Sequence, residues 1–481
     1  MTTPARWADL FRGGLGVYTI ALALGMALNA MDAFVVSTVM PSVVADIGGS
    51  EFYTWVVTLY LTMSIVGAAS GGPVKLIFGS RRGYVAAALI FLIGTLISGS
   101  APTMPVLLAG RLVQGLGVGM IVAQNIALIG DLFPPELRAR MFAMVAGVWA
   151  ASALAGPLVG GVFAELGWWR GAFWFAVPVI LWFTITAWRV IPDVRAADDR
   201  RLATFPIWRV ALLGAGVLAI GITGNVETLL LRLLALGSGI GLIWLTIRLD
   251  RRADNHVFPS RPFSLAGPVG TAYWALLLIS MAPISLGLFM PLAFQAIHGL
   301  SPLVAGYLGA MLSLGWSSTA FITANLKGRA ERIAMVGGPA LTVCGLAGIA
   351  VSIGSASIGV LIALTVLVGM GVGFAMAHLM SWTILLATPG EESITASSIH
   401  TVRSLGFAIA AAIAGLIANI AGLGGGVSVS TVVAAVSGVA GIFALAPIAV
   451  VLLGVLLIRH RRRRPPVAAA GGEPASLSAA D

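Results

Sequence analysis

Long apolar stretches separated by short polar segments make up nearly all of this chain of 481 residues. A helix needs about 20 apolar residues to cross the hydrocarbon core of a bilayer, and most of these stretches reach that length. Polarity does not alternate from one residue to the next within them, so the pattern predicts helices rather than the strands of a membrane barrel. We predict fourteen spans, with the approximate bounds 16–40, 52–73, 84–102, 105–130, 141–163, 172–191, 207–226, 229–248, 266–292, 301–324, 333–353, 357–386, 396–421 and 431–458.

Composition agrees with a chain whose main solvent is lipid. Hydrophobic residues make up 59% of the sequence and charged residues only 10%, whereas a soluble domain has about 25% charged residues. Too little polar surface remains to cover a water-soluble globule, so we predict an all-α membrane protein. The single Cys344 lies in an apolar stretch, which excludes a disulfide within the chain and a cysteine metal cluster. The first stretch is long enough to span and has no Ala-x-Ala end, so we expect no cleaved signal peptide.

The net charge of +10 could point to a nucleic-acid partner, but the positions of the basic residues indicate a membrane topology instead. Fourteen spans place both termini on one side of the membrane. If that side is cytoplasmic, nearly all of the 28 Lys and Arg residues fall in cytoplasmic segments. Arg170 and Arg232 fall on the other side, and Arg111 and Arg403 lie within spans. This distribution follows the positive-inside rule, so we expect both termini in the cytoplasm and no nucleic-acid partner.

The two ends of the chain repeat a weak pattern. A basic segment follows the second span, at 75–82, and another follows the tenth span, at 327–332. A basic loop at the matching place in two sets of six helices is typical of a duplicated transporter. We therefore predict these parts: an N-terminal six-helix bundle at 1–191, a linker with two extra spans at 192–265, a C-terminal six-helix bundle at 266–458, and a basic, disordered cytoplasmic tail at 459–481.

Asp32 is the only acidic residue well inside a predicted span. A charge near the middle of a bilayer is costly, so residues of this kind usually face a cavity and serve a function. Asn29 lies one turn earlier on the same face of the helix. The alternative interpretation of Asp32 is a neutral, hydrogen-bonded packing residue.

Arg111 is a second charge within a span, and Gln114 lies on the same face of that helix. Asp32 lies about nine residues from the outer end of its span and Arg111 about six, which gives depths of about 14 and 9 Å. The two charges are therefore predicted to come within a turn or two of each other and to form a transient pair. The alternative is a structural arginine bonded to backbone carbonyl groups.

The fifth span contains a pattern of small residues that favours close helix packing. Gly156 and Gly160 are four residues apart and give a flat helix surface, and Pro157 removes a backbone donor and permits a bend. Gly147 and Gly161 extend the pattern at either end. Spacing alone predicts only a tight helix contact with a hinge.

Together these segments resemble the major facilitator superfamily, and in particular its fourteen-helix branch of drug:proton antiporters. The fifth span is similar to that branch's antiporter motif, Gly-(x)8-Gly-Pro-x-x-Gly-Gly, and the fourth to its Arg-x-x-Gln-Gly-x-Gly motif. Asp32 and Pro41 fit the pattern of the branch in the first span. The resemblance implies two six-helix bundles with two extra helices and alternating access. It also implies proton-coupled export of small lipophilic compounds, cations among them, by a monomer in the bacterial inner membrane. Its partners are then the substrate, protons and membrane lipids.

The loop after the second span departs from the family pattern. Gly72, Gly79, Arg81 and Arg82 fit it, but Leu76 stands where the family has an aspartate that belongs to a cytoplasmic gating network. Glu391 and Glu392 lie in another loop predicted to be cytoplasmic. We hypothesise that these two acids pair with Arg81 and Arg82 in place of the lost aspartate. The alternative is that all four are solvated loop charges.

The C-terminal spans contain no embedded acid, which weakens the case for a dication as substrate. His378, His400 and Arg403 are candidates for a binding or titrating element there, and ordinary hydrogen-bonded residues are the alternative. No nucleophile–base set, metal motif or nucleotide-binding loop is present, so we expect neither an enzyme nor a cofactor. An exporter of a specific lipid or metabolite, or a uniporter, remains the second hypothesis on the same fold.

Overall fold

A computed structural model describes residues 7–193, 206–226, 228–253, 256–323 and 326–463. Within these ranges every long element is an α-helix, and the helices are α1 (Leu15–Ile47), α2 (Trp55–Phe78), α3 (Ser80–Gly99), α4 (Met104–Leu132), α5 (Pro135–Glu165), α6 (Arg170–Val190), α7 (Ile207–Ile222), α8 (Leu229–Asp250), α9 (Pro268–His298), α10 (Pro302–Thr323), α11 (Arg329–Ser352), α12 (Ile358–Leu385), α13 (Glu392–Ile420), α14 (Val429–Phe443) and α15 (Leu445–Arg463).

Each predicted span corresponds to one helix, except the last. The stretch at 431–458 is divided into α14 and α15 at Ala444. Pro447 explains the break, because it has no backbone N–H to donate to the carbonyl of Phe443 and its ring crowds that carbonyl. The predicted tail also begins too early, since α15 continues to Arg463, and the residues after it lie outside the described part.

Hydropathy alone does not identify every span. Thirteen stretches of the described residues are long and apolar enough to cross a membrane, and α10 is not among them. Serine and glycine residues lower its hydropathy, yet its neighbours show that its two ends lie at opposite faces of the helix bundle. Its first turn contacts Glu165 at the end of α5, and α11 begins near the end of α15, where Arg461 lies 3.6 Å from Glu331.

The face at which α1 begins and α15 ends is named here the terminal face, and the other is the closed face. Helices α1–α6 and α9–α15 meet through hydrogen bonds at the closed face. The Ser50 hydroxyl donates to the carbonyl of Gly424 at 3.1 Å, and the Asn419 amide donates to the carbonyl of Glu51 at 2.9 Å. Among the described residues, no ion pair and no side-chain hydrogen bond joins these two helix sets at the terminal face.

The two extra helices are held together by a buried ion pair that the hydropathy pattern did not predict. Arg209 of α7 lies 2.5 Å from Asp250 at the end of α8, and both side chains are almost fully buried. The same carboxylate accepts hydrogen bonds from the backbone N–H groups of Val257 and Phe258. Asp250 therefore fixes the start of the segment that leads to α9. Helix α7 also packs against α2 and α13, whereas α8 is mostly exposed.

Replacing Asp250 with Ala should lower the free energy of unfolding by about 3–5 kcal/mol, because it leaves the Arg209 charge buried without its carboxylate. Thermal unfolding of the purified protein in detergent measures the change. The double replacement Arg209→Met with Asp250→Leu should recover part of the loss, because it removes both charges and keeps the volume, while the N–H groups of Val257 and Phe258 still lose their acceptor. Arg12→Ala, which removes the exposed ion pair of Arg12 with Asp9, serves as the control and should have no measurable effect. Equal stability of the Asp250→Ala variant and the unmodified protein would contradict this account.

Candidate functional site

The structure brings Asp32 of α1 and Arg111 of α4 into direct contact. Arg111 Nη1 lies 2.7 Å from Asp32 Oδ2 and 3.0 Å from Asp32 Oδ1. The arginine side chain is 2% exposed and the aspartate side chain 9% exposed. Removed from water, the pair is held by a strong charge-assisted hydrogen bond, and loss of either charge would leave the other buried.

Arg111 is oriented by α2 as well as by the aspartate. Its Nε donates to the backbone carbonyl of Val56 at 3.1 Å, and its guanidinium carbon lies 4.1 Å from the ring centre of Tyr60. The tyrosine face supplies a cation–π contact to the side of the guanidinium that the carboxylate leaves free. The Tyr60 hydroxyl in turn donates to Asn29 Oδ1 at 3.0 Å, so Asn29 reaches the site through the tyrosine.

Gln114 connects the pair to α3. Its amide oxygen accepts from Arg111 Nη1 at 3.0 Å, and its amide nitrogen lies 3.3 Å from Asp32 Oδ1. That nitrogen also donates to Thr95 Oγ1 at 3.0 Å, and the amide oxygen accepts from the Ser98 hydroxyl at 3.1 Å. The sequence pattern does not predict Tyr60, Thr95 and Ser98 as members of this network. Hydroxyl residues inside apolar stretches were the available signal, but many such residues only bond back to their own helix.

These contacts define a network in which one negative and one positive charge cancel. Asp32 retains slight exposure, and Ala33 beside it is exposed although α1 packs against α5 and α6 along its length. The carboxylate is therefore the member of the pair closest to open space. Chemically, the arrangement is a buried pair of opposite charges whose remaining hydrogen-bonding capacity is largely used by Gln114.

The glycines of the fifth-span motif lie where α5 meets two other helices. A side chain at Gly156 would overlap the β-carbon of Phe34 on α1, and one at Gly160 would lie 2.9 Å from the carbonyl of Val35. A side chain at Gly161 would overlap Leu303 of α10. The motif therefore lets α5 contact α1 on one side and α10 on the other.

Two other residues of this motif differ in their surroundings. Pro157 lies beside Gly306 of α10. A β-carbon added to Gly306 would lie 3.1 Å from Cβ of the proline ring. Gly147, at the start of the motif, has no atom within 4 Å of the place that a side chain would occupy. Helix α5 is continuous through Pro157, so the predicted bend does not divide it.

The three candidates of the C-terminal spans do not form one cluster. Arg403 of α13 lies between two aromatic rings, with its guanidinium carbon 6.0 Å from the centre of Trp316 and 5.7 Å from that of Phe407. The His400 ring nitrogen Nε2 lies 3.5 Å from the Ser404 hydroxyl, one turn along the same helix.

His378 has different neighbours, at the terminal face. Its Nδ1 lies 3.9 Å from Glu331 of α11, and that carboxylate also accepts from the Trp382 indole at 2.5 Å. Arg461 of α15 lies over the Trp382 ring at 4.1 Å. Glu331 is thus the centre of a cluster joining α11, α12 and α15, a role that its place in a basic loop did not predict.

The predicted gate residues are not paired with one another in this structure. Arg81 Nε donates to the backbone carbonyl of Ile191 at 2.8 Å, within the same helix set. Glu391 accepts from the backbone N–H of Ser260 at 3.0 Å, and Glu392 from that of Gly390 at 2.9 Å. Arg82 is exposed, Gly72 lies inside α2, and Gly79 ends α2 with a φ of 85°, a backbone conformation that favours glycine.

Comparison with known proteins assigns the family. A family model described as the Major Facilitator Superfamily matches residues 22–411, a range that begins within α1 and ends within α13. The chain belongs to the Major Facilitator Superfamily. As a member of this superfamily it is a transporter and not an enzyme, and its long apolar helices make it an integral multi-pass membrane protein.

Two bacterial relatives have names that refer to multidrug efflux or multidrug resistance. The chain is 32% identical over 430 residues to a Mycobacterium tuberculosis protein named "Probable multidrug-efflux transporter", covering 86% of this chain and 90% of that one. It is 28% identical over 306 residues to multidrug resistance protein 3 of Bacillus subtilis, covering 62% of this chain and 58% of that protein. These relatives support efflux transport as the general activity of this superfamily member.

Solved structures of two transporters have the same fold. A POT family transporter in complex with 5-aminolevulinic acid matches with a TM-score of 0.63 and 13% identity, over 92% of this chain and 95% of that one. The human organic anion transporter MFSD10 matches with a TM-score of 0.58 and 14% identity, over 90% and 98%. At these identities the likeness shows the fold alone, which is the predicted all-α major facilitator fold.

Replacing Gly156 with Leu should abolish transport while the protein still reaches the membrane, because the new side chain would separate α5 from Phe34 of α1. Substrate accumulation in inverted membrane vesicles, normalised to the amount of protein, measures this. The matched control is Gly147→Leu, which adds the same side chain to the same helix where space is open, and it should transport at nearly the unmodified rate. Equal rates for the two variants would mean that close packing at Gly156 has no part in transport.

Proposed function

We propose that this protein exports small lipophilic compounds in exchange for protons, by alternating access between the two sides of the membrane. The observation that carries the proposal is the buried pair of Asp32 and Arg111, at 2.7 Å within the apolar helices. Embedded ionisable residues of this kind commonly mark proton relays and substrate paths in transporters. The Mycobacterium tuberculosis relative, which is named a probable multidrug-efflux transporter, supports the direction of transport.

Protonation of Asp32 would remove the negative charge that holds Arg111. The arginine would then depend on the carbonyl of Val56, the amide of Gln114 and the ring of Tyr60 for its stabilisation. Exchange requires that protonation of Asp32 lower the affinity for a substrate held in the space between the helix sets. Such a negative coupling between the two sites is the thermodynamic basis of exchange, because the protein then holds either proton or substrate.

A mechanical connection runs along α1 from the proton site to the joint between the helix sets. Asp32 and Thr38 are six residues apart, which is about 9 Å along a helix. A β-carbon added to Gly306 of α10 would lie only 2.7 Å from Thr38 Oγ1, so α1 and α10 are in close contact at this point. A shift of α1 after protonation would therefore act directly on the contact between α1 and α10 at the closed face.

The charge distribution supports a cytoplasmic terminal face, because the Lys and Arg residues are concentrated there. In that orientation the helix sets are joined on the outer side, which corresponds to an inward-facing state. Alternating access then requires a second state in which the contacts of Ser50 and Asn419 are broken and the terminal face is closed. An exporter of one lipid or metabolite would use the same alternating-access mechanism. Transport by a uniporter would not depend on Asp32.

Replacing Asp32 with Asn should abolish transport driven by a pH gradient, because the amide cannot carry the proton but keeps the size and hydrogen-bonding capacity of the side chain. Proteoliposomes with an imposed gradient and an internal pH dye measure both substrate and proton movement. Glu136→Gln, at an exposed acid in the first turn of α5, is the matched control and should retain both movements. Proton movement coupled to substrate in the Asp32→Asn variant would remove Asp32 from the mechanism.

The gate hypothesis predicts a pairing in the other state, with Arg81 and Arg82 facing Glu391 and Glu392. Reversing both glutamates to Arg should shift the population toward the state with an open terminal face, because like charges would then oppose its closure. Exposed pairs contribute only about 0–1 kcal/mol each, but a balanced equilibrium shifts severalfold with about 1 kcal/mol. Adding Arg81→Glu and Arg82→Glu should partly restore the balance. Distances between spin labels on the two helix sets report the populations, and identical distributions in all three proteins would refute the gate.

A further inference from the structure

We propose that Arg403 is an anion-binding residue, and that the preferred substrates are lipophilic molecules carrying a single carboxylate or sulfonate. The inference rests on the proposed function only in taking the space between the helix sets as the substrate site. It concerns the substrate class, which neither the motifs nor the named relatives define.

Arg403 has no acidic partner among the described residues. The structure pairs seven basic side chains with acids, and Arg403 is not one of them. Its Nε is buried without a hydrogen-bond partner. Between residues 266 and 458 the sequence contains only Glu331, Glu391 and Glu392 as acids, and each lies near the terminal face with partners of its own.

The helix that carries Arg403 is shielded from lipid. From Ser398 to Asn419, α13 has no exposed residue, because it packs against α2, α7, α9 and α14. His400, Arg403 and Phe407 are half-buried and lie on one face of this helix. Trp316 of α10 lies near the same guanidinium, with its ring centre 6.0 Å from the guanidinium carbon. A half-exposed stripe on an interior helix indicates an internal opening rather than a lipid-facing surface.

The two helix sets therefore differ in the net charge of the ionisable residues embedded in their spans. In the first set Asp32 and Arg111 neutralise each other, whereas in the second Arg403 is stabilised only by aromatic rings. Cation–π contacts compensate for a lost hydration shell only in part, so a buried guanidinium still gains from an anion. Its planar donors match a carboxylate in a two-point arrangement, and Trp316 and Phe407 offer apolar surface beside it. A lipophilic cation would meet an unpaired positive charge instead.

Equilibrium binding of three fluorescent probes tests the proposal. Pyrenebutyrate, pyrenebutanol and pyrenebutyl-trimethylammonium share a ring and a chain and differ mainly in the charge of the head group. Fluorescence polarisation with the purified protein in nanodiscs of neutral lipid should show that pyrenebutyrate binds at least about tenfold more tightly than the other two. Arg403→Gln should remove that preference, and Arg403→Lys should keep part of it, because the ammonium retains the charge without the planar donors.

Arg332→Gln, which removes a basic residue of α11 outside this space, is the matched control and should leave the preference unchanged. Gel filtration shows whether Arg403→Gln folds. If it does not, the relative affinities of the three probes for the unmodified protein and for the Arg403→Lys variant decide between the outcomes. Equal binding of the three probes, or a preference that survives Arg403→Gln, would overturn the inference.

Transport of the same probes in proteoliposomes separates this inference from the proposed function. Binding of pyrenebutyrate that depends on Arg403, without pH-driven movement of any probe, would overturn proton-coupled export and support the anion site. Movement of pyrenebutanol or the trimethylammonium probe driven by a pH gradient, with no effect of Arg403→Gln on the binding of any probe, would support proton-coupled export and overturn the anion site.

Discussion

A carboxylate and a guanidinium that neutralise each other inside a bundle of apolar helices determine how this protein can work. A charge on Asp32 or on Arg111 alone would be buried without its counter-charge, so each stabilises the other between α1 and α4. Arg111 is further bonded to α2 and Gln114 to α3, so the pair ties α1 to a frame of three helices. Under the proposed mechanism, one proton added to Asp32 would weaken the attraction between α1 and that frame.

The glycines of α5 hold α1 and α10 close to the same helix, so a shift of α1 would be transmitted to α10 through direct contacts. Gly156 and Gly160 let α1 approach α5 closely, and Gly161 lets α10 approach the other side of the same helix. Small residues permit contact between helix backbones, where packing and not hydrophobic burial supplies the attraction in a bilayer. Thr38 and Gly306 complete the joint at the closed face. A joint of this kind is tight in one state and can separate without exposing large side chains to water.

The two helix sets share a fold and differ in their chemistry. The first contains a self-neutralised pair with a dense hydrogen-bond network, and the second contains Arg403 between Trp316 and Phe407. If both proposals hold, the first set carries the coupling proton and the second contacts the substrate. The ion pair of Arg209 and Asp250 connects the extra helices to the same frame, and the segment after it reaches Glu391 through Ser260.

The sequence by itself predicted the all-helical membrane fold, the placement of Asp32 and Arg111 at similar depth and the family, because apolar length, embedded charge and glycine spacing are local properties of the chain. Tertiary structure decided which partners those residues have. Tyr60, Thr95 and Ser98 entered the network because α2 and α3 happen to present them there, and nothing in their own stretches distinguishes them. In the same way, Gly147 fits the motif but has open space, and His378 joins Glu331 rather than Arg403. Hydrogen bonds between distant helices depend on how the helices are rotated and how deep they lie, and neither can be obtained from one helix at a time.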